Sequence, residues 1–529
     1  MASTMLARSS TRSLVSTLQL RVTVPISSRC YATGHSIPPL NDQSLLKSKA
    51  FIHGEWVNAD SGKTFEVKDP STGKLITHVA ELDVAETQRA IRSANDALAS
   101  FRRTTAKERS RFLRKWYDLT VAHTDDLAKI ITWENGKPLA DARGEVNYAA
   151  TFIEWFAEQA TRIDGAVLPA SIPGNRVLVT KEPVGVCGLI TPWNFPAAMI
   201  TRKLAPAIAA GCTTVSKAPG ETPLTALALA ELAARAGLPP GVMNVVTSLA
   251  NTPAVGETLA TDPLVRKISF TGSTNVGRLL MKQASGTIKK CSFELGGNAP
   301  FIVFDDADVD AAVTGAITSK FRSSGQTCVC ANRLYIQEGI YEEFATKFAE
   351  KVKGFKIGGG YGEGVTHGPL IHDRAVSKAE SHVQDALSQG ATVMIGGQKL
   401  PDLGSNFFQP TVLRDMKPDM LLAHEETFGP VAGLFPFKTE AEVVTLANNT
   451  EVGLAGYFFS KDVQRIWRVA EALEVGMIGV NTGLISDAAS PFGGIKQSGF
   501  GREGSIYGID EYLVMKSITL GGMGGDLQN

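Results

Sequence analysis

The chain has 529 residues, more than one hydrophobic core ordinarily serves, so two or more domains are expected. Hydrophobic residues make up 43% and charged residues 20%, the balance of a soluble globular protein, while Lys+Arg and Asp+Glu both number 53. That neutrality gives no ground for a nucleic-acid partner or an anionic membrane surface, and six scattered cysteines without zinc-ribbon spacing argue against a disulfide framework and a metal site.

In chain order, the N-terminus stands apart. Met1 to Ser36 carry Arg8, Arg12, Arg21 and Arg29, many Ser and Thr, and no acid before Asp42. This predicts a mitochondrial transit peptide over residues 1–33, processed near Arg29 to Thr33, and a mature protein in the mitochondrial matrix, with a plain disordered tail as the alternative. The apolar stretch Leu14 to Leu20 is broken by Ser and Thr and is too short to span a bilayer. Phe51 to Val57 and Lys63 to Val67 read as short strands, and Asp83 to Phe101, Ala106 to Ala122 and Leu127 to Asn135 as helices.

Strand candidates then alternate with helices. The strands are Val184 to Ile190, Thr213 to Lys217, Val242 to Val246, Lys267 to Phe270 and Lys289 to Leu295. The helices are Pro196 to Ala210, Thr222 to Ala236 and Asn275 to Ala284. Such alternation predicts an α/β fold with a parallel sheet. A second α/β run begins near Pro300 and continues past Glu474. Arg162 to Lys181 reads as a β excursion and Tyr512 to Leu520 as a terminal strand; unpaired apolar edges invite pairing with another chain.

Chemistry concentrates in four segments. Cys328 follows the helical stretch Ala311 to Ser324 in Gly325-Gln326-Thr327-Cys328. A thiolate adds to an aldehyde carbon, and the thiohemiacetal can lose hydride to become a thioester. Taken alone, such a cysteine is more often a buried small hydrophobe. Glu294, at a strand end, is a carboxylate able to activate water. Asn194, in Thr191-Pro192-Trp193-Asn194-Phe195-Pro196, offers an amide to an oxyanion, with the Cys328 N–H as a second donor; an isolated Asn is as readily a turn or cap residue. Thr271-Gly272-Ser273-Thr274-Asn275-Val276-Gly277 joins a strand to a helix, where glycine and a helix N-terminus suit a phosphate, although it is not G-x-G-x-x-G.

These segments, with Phe293-Glu294-Leu295-Gly296-Gly297 and Glu425-Glu426-Thr427-Phe428-Gly429-Pro430, resemble the aldehyde dehydrogenase superfamily over nearly the whole chain. The resemblance implies a parallel-sheet cofactor domain (45–161 and 184–296), an α/β catalytic domain (297–496) and a β oligomerisation arm (162–183 and 511–521). It implies Cys328 as nucleophile, Asn194 as oxyanion donor and Glu294 as the base that hydrolyses the thioester; relatives that pass the acyl group to coenzyme A typically lack that base. Cofactor contacts are implied at Trp193, Lys217, Gly220, Gly272, Ser273, Gly277, Leu295, Glu426 and Phe428. Of these, Ser273 is expected near the pyrophosphate, Glu426 and Phe428 at the nicotinamide ribose and ring, and Lys217 at the adenosine ribose. NAD-preferring members commonly carry Glu three residues after that lysine. Gly220 stands there and does not repel a 2′-phosphate, which favours NADP, while Glu221 keeps NAD in play.

Arg202, Arg322 and Ser486 coincide with the carboxylate site of the succinate semialdehyde dehydrogenases within this superfamily, and guanidinium donors match both carboxylate oxygens. By themselves, Arg322 reads equally as a helix-terminal cation and Arg202 as a solvated residue. Lys320-Phe321-Arg322, Cys328-Val329-Cys330 and Lys496-Gln497-Ser498-Gly499 share the resemblance, and Asp487-Ala488-Ala489-Ser490 departs from it. Related enzymes use a pair such as Cys328 and Cys330 as a redox switch, with plain packing of Cys330 as the alternative. The implied protein is a homo-oligomer, a dimer of dimers, oxidising succinate semialdehyde to succinate in 4-aminobutyrate breakdown. Glutarate semialdehyde is the nearer alternative substrate, since one methylene discriminates weakly. A non-catalytic protein on the same scaffold is the other alternative, disfavoured by Cys328, Glu294 and Asn194 together.

Overall fold

Two sheets organise the chain, and each is nearly continuous in apolar sequence because helices cover both of its faces. The computed structural model describes residues 39–524; residues 1–33, read as a transit peptide, lie outside them. The first sheet runs Glu55–Val57, Ala50–Ile52, Met243–Thr247, Thr213–Ala218, Val186–Ile190, Val265–Thr271, Lys290–Glu294 and Gly499–Phe500. Its five central strands are parallel, as the alternation of strand and helix requires. The crossover helices include Ala198–Ala210, Pro223–Arg235 and Thr274–Ala284.

The second sheet runs Thr392–Ile395, Thr411–Arg414, Val431–Phe437, Ala331–Gln337, Ala299–Val303, Ala455–Phe459 and Met477–Val480, parallel except at its first pair. A separate three-stranded antiparallel sheet is formed by Ala166–Leu168, Arg176–Pro183 and Leu513–Leu520. Its apolar side chains remain on the surface, with Val167 at 70% and Met515 at 78% exposure.

Two differences from the sequence reading bear on the site. The helix expected over Ala311 to Ser324 spans Val309–Phe321 instead, after Asp308 caps its N-terminus. It ends early because Ser323 (φ 51°) and Ser324 (φ 54°) are left-handed, a conformation that cannot continue a right-handed helix. The long helix Leu139–Gln159 is absent from the elements predicted above, although its buried residues recur at helical spacing. It packs against the helices Ala106–Ala122, Thr124–Asn135 and Ala198–Ala210.

Candidate active site

Cys328 sits on the loop between Val309–Phe321 and the strand Ala331–Gln337. Three successive left-handed residues, Ser323, Ser324 and Gly325 (φ 78°), re-aim the chain there. Only Gly325 lacks a side chain by necessity: a Cβ would lie 2.2 Å from the Gly429 carbonyl. Left-handed serines cost on the order of 1–3 kcal/mol each, so the surrounding contacts must hold them. The Ser324 hydroxyl donates to the Gly368 carbonyl at 2.9 Å, and the Gln326 side-chain carbonyl accepts from the Ile371 N–H at 3.0 Å. The Cys330 N–H closes a turn on the Thr327 carbonyl, and the Tyr457 hydroxyl donates to the Val329 carbonyl at 2.9 Å.

That turn bears on the suggested redox pair. The segment is not extended, both thiols are free, and the Cys330 thiol donates to the Lys320 carbonyl at 3.5 Å. Burial pushes the Cys328 thiol up to about 12; Arg202 pulls it down, opposed by Glu426 and Glu294.

Asn194 is buried in an irregular segment between the strand Val186–Ile190 and the helix Ala198–Ala210. Its side-chain amide donates to the Gln326 carbonyl at 3.0 Å. One amide hydrogen is thereby spent on the nucleophile loop and one remains. The Cys328 N–H has no hydrogen-bond partner among the described residues.

Glu294 closes the strand Lys290–Glu294 and is 3% exposed, with Oε2 unpartnered. Burial holds its pKa well above the carboxylate range; the Glu503 charge raises it further, and Arg202 and Lys203 oppose. Glu503 itself is buried between Arg202 and Lys203, which pair with its two oxygens. Burial would raise Glu503, but these two cations keep it ionised and below its ordinary value. Lys203 also donates to the Ser269 hydroxyl at 3.0 Å.

The thiol shares one cavity of about 20 Å³ with Arg202, Arg322 and Ser486, walled by Tyr148 and Phe492. The structure thus brings together the three residues singled out for a carboxylate, but on unequal terms. Arg202 is fully buried, engaged through Nε by Glu503 and stacked 4.4 Å from the Phe492 ring centre, with Nη2 unpartnered. Arg322 lies 5.1 Å over the Phe195 ring and has no acidic partner within ion-pair distance among the described residues. Sequence reasoning misses Tyr148 and Glu503. Both reach the site from elements distant in the chain, and neither sits in a local motif.

A second recess of about 820 Å³ is lined by Thr274, Gly296, Gly297, Lys378 and Glu426, among others. Ser273 is the N-cap of the helix Thr274–Ala284, yet its side chain makes no capping bond. A Cβ at Gly277 would meet Leu295 at 2.6 Å, and one at Gly272 would meet the Phe270 ring at 2.4 Å. The Leu295 N–H is fixed on the Ser498 carbonyl at 2.9 Å. Glu426 accepts from the Gly297 N–H at 3.4 Å, and burial lifts its carboxyl to about 7. Phe428, left-handed at φ 50°, meets Trp193 edge-on with ring centres 5.6 Å apart.

Lys217 is buried at the end of its strand, and burial brings it down to about 8 against the charges of Glu221 and Glu81. Gly220 is tightly covered, since a Cβ there would lie 2.5 Å from the end of Leu249 and 3.3 Å from its Cα. An uncapped helix N-terminus, a glycine-lined approach, an available carboxylate and a buried lysine without a bonded acid fit a dinucleotide.

The aldehyde dehydrogenase family model matches residues 56–518. Glutarate-semialdehyde dehydrogenase of Pseudomonas putida is 56% identical over 481 residues, 91% of this chain and 99% of that protein. The mitochondrial succinate-semialdehyde dehydrogenase of Arabidopsis thaliana is 55% identical over 484 residues, 92% of this chain and 91% of that protein. A solved Escherichia coli structure, described as that of an NADP-dependent enzyme, superposes with a TM-score of 0.90 at 55% identity, covering 91% of this chain and all of that one. The chain belongs to the aldehyde dehydrogenase family.

Proposed function

We propose that this protein oxidises succinate semialdehyde to succinate with NADP in preference to NAD, a late step of 4-aminobutyrate breakdown. The observation that carries the reading is the single cavity in which the Cys328 thiol shares walls with two guanidinium groups and the Ser486 hydroxyl. An aldehyde ending in a carboxylate matches the chemistry of both sets of groups. Arg322 is the main carboxylate contact because no acid pairs with it among the described residues; Arg202 adds the N–H groups that Glu503 leaves free, and Ser486 a hydroxyl.

In this reading the ionised Cys328 adds to the aldehyde carbon, and the charge passes to the carbonyl oxygen. The second Asn194 amide hydrogen and the Cys328 N–H are the donors for that oxyanion. Trp193, Lys217, Gly220, Gly272, Ser273, Gly277, Leu295, Glu426 and Phe428 would hold NADP, which when bound would supply the hydride acceptor needed to oxidise the thiohemiacetal to a thioester. Glu294, once ionised, takes a proton from water; the hydroxide adds to the thioester, and succinate leaves as the Cys328 thiolate is restored.

Residues 45–161 and 184–296 carry the cofactor and 297–496 the nucleophile. Residues 162–183 and 511–521 join copies into a dimer of dimers, a role supported by the exposed Val167 and Met515. A Cys328–Cys330 switch requires the Thr327–Cys330 turn to open. Residence in the mitochondrial matrix rests on the Arg-rich, acid-free N-terminus and agrees with the Arabidopsis relative.

The test is kcat/KM for succinate semialdehyde, glutarate semialdehyde and butanal, each with NADP and NAD. Succinate semialdehyde with NADP should be best, and butanal roughly tenfold or more worse for lack of a charge-assisted contact. An equal value for butanal would overturn the reading. A higher value for glutarate semialdehyde would favour the alternative that the Pseudomonas relative represents.

A further inference from the structure

The loop that carries Asn194 has little means of fixing itself. Pro192 and Pro196 have no N–H to donate, and the helix after it, Ala198–Ala210, has Ala197 as its N-cap, which offers no side-chain acceptor. Most of the missing contacts come from one distant segment, residues 135–145, with the Thr222 hydroxyl adding one to the Trp193 carbonyl at 3.3 Å. The Asn135 side chain donates to the Trp193 carbonyl at 3.0 Å. The Lys137 ammonium donates to the Asn194 carbonyl at 2.8 Å and lies 4.0 Å over the Phe195 ring.

The carboxylate of Glu145 completes the clamp. It accepts from Lys137 at 2.6 Å, from the Ala197 N–H at 2.8 Å and from the Ala198 N–H at 3.4 Å. It therefore caps a helix whose own N-cap residue cannot. Lys137 and Glu145 are 3% and 0% exposed, so the pair is dry and its geometry fixed.

We propose that Lys137, braced by Glu145, is a positioning residue for the oxyanion step: it fixes the backbone of Asn194 so that the side-chain amide faces the reacting carbonyl oxygen. Lys137 contacts no reacting atom in this scheme; it acts through Asn194. The inference rests on the reading of Asn194 as oxyanion donor given under Proposed function. Removing one oxyanion donor typically costs on the order of 10²–10³ in rate. A donor loosened rather than removed should cost less, about tenfold to a hundredfold.

The experiment measures the pre-steady-state burst of NADPH with succinate semialdehyde, together with NADP affinity and Tm, in Lys137→Met, Asn194→Ala and the double variant. Lys137→Met leaves Glu145 buried without a cation, so Lys137→Met/Glu145→Gln is made beside it, which keeps an acceptor for the Ala197 N–H without the charge. The inference expects a burst slowed about ten- to a hundredfold by either Lys137 substitution, with NADP affinity and the KM for the semialdehyde within about twofold of the parent. It also expects non-additivity, with Lys137→Met costing less than about twofold in the Asn194→Ala background.

A normal burst in the Lys137 variants beside a slow one in Asn194→Ala would overturn the inference and leave Asn194 in its role. Additive losses, or loss of NADP binding in both Lys137 variants, would make the residue merely structural and also overturn it. A normal burst in Asn194→Ala would instead remove the reading on which it rests.

Discussion

The two recesses flanking Cys328 are built on different terms. The larger recess, about 820 Å³, is the one proposed for the dinucleotide; Gly296 and Gly297 line it, and near it Gly272 and Gly277 stand where a Cβ would strike a neighbour. The aldehyde cavity is about 20 Å³ and is shaped by what is present, namely two guanidinium groups, a hydroxyl and aromatic rings drawn from separate elements. Gly297 joins them, since it lines the cleft and lies against the Cys328 carbonyl. The difference shows how one scaffold separates its tasks. On the proposed reading, backbone geometry holds a cofactor common to many reactions, and replaceable side chains select the aldehyde.

The sharpest break between the two recesses is Cys328→Ala. Oxidation should fall to background while NADP binding and Tm stay close to the parent, because the thiol makes no contact that supports the cleft. Isothermal calorimetry beside turnover checks this; substantial residual dehydrogenase activity would remove Cys328 from its role.

The two arginines should then part company. Arg202→Ala strips Glu503 of one of its two cations, and breaking a buried ion pair costs up to about 3–5 kcal/mol, visible as a lower Tm. Arg322→Ala breaks no ion pair and should leave Tm nearly unchanged. It should lower kcat/KM for succinate semialdehyde roughly ten- to a hundredfold, mainly through KM, and affect butanal far less. Equal losses for both aldehydes would make Arg322 structural.

The pH profile tests the chemistry at the junction. Burial raises both the Cys328 thiol, to about 12, and the Glu294 carboxyl, so the active, ionised form of each grows as pH rises. Turnover should therefore climb steadily as pH rises above neutrality. Glu294→Gln should abolish the part of the rise that belongs to thioester hydrolysis and leave the burst of reduced cofactor. A flat profile in the parent would contradict the assignment of either group.

The smallest expected effect lies in the cleft. Gly220→Glu introduces a charge that repels a 2′-phosphate, but its Cβ meets Leu249, whose backbone N–H is tied to the Glu81 carboxylate. The single substitution should shift the NADP/NAD ratio only modestly. Gly220→Glu with Leu249→Ala should shift it further toward NAD. The ratio of kcat/KM for the two coenzymes is the measurement, and no change in the double variant would place Gly220 away from the ribose.

The same contrast explains what the sequence makes legible. The cleft is written locally: strand, Gly272, Ser273, helix, and Gly277 against Leu295 all fall within a short stretch of chain. The parallel strands, bounded to within a residue or two, follow from apolar runs alternating with helical spacing. The cavity depends on distance. Arg202 is legible as a candidate, but Glu503, about three hundred residues further on, engages it, and no periodicity announces that pairing. Tyr148 is half-buried on the helix Leu139–Gln159, and its position on the cavity wall depends on how that helix packs. The left-handed turn at Ser323 and Ser324 is likewise imposed by contacts from Gly368 and Gln326 rather than by residue type.

The central claim is that Cys328 carries the acyl group of an anionic aldehyde. The most direct measurement is peptide mass spectrometry of Glu294→Gln enzyme, acid-quenched during reaction with succinate semialdehyde and NADP. The account predicts that the peptide containing Cys328 gains the mass of a succinyl thioester, in an amount matching the NADPH burst, and that Cys330 stays unmodified. NADPH formed with Cys328 unmodified, or acylation at another residue, would contradict it.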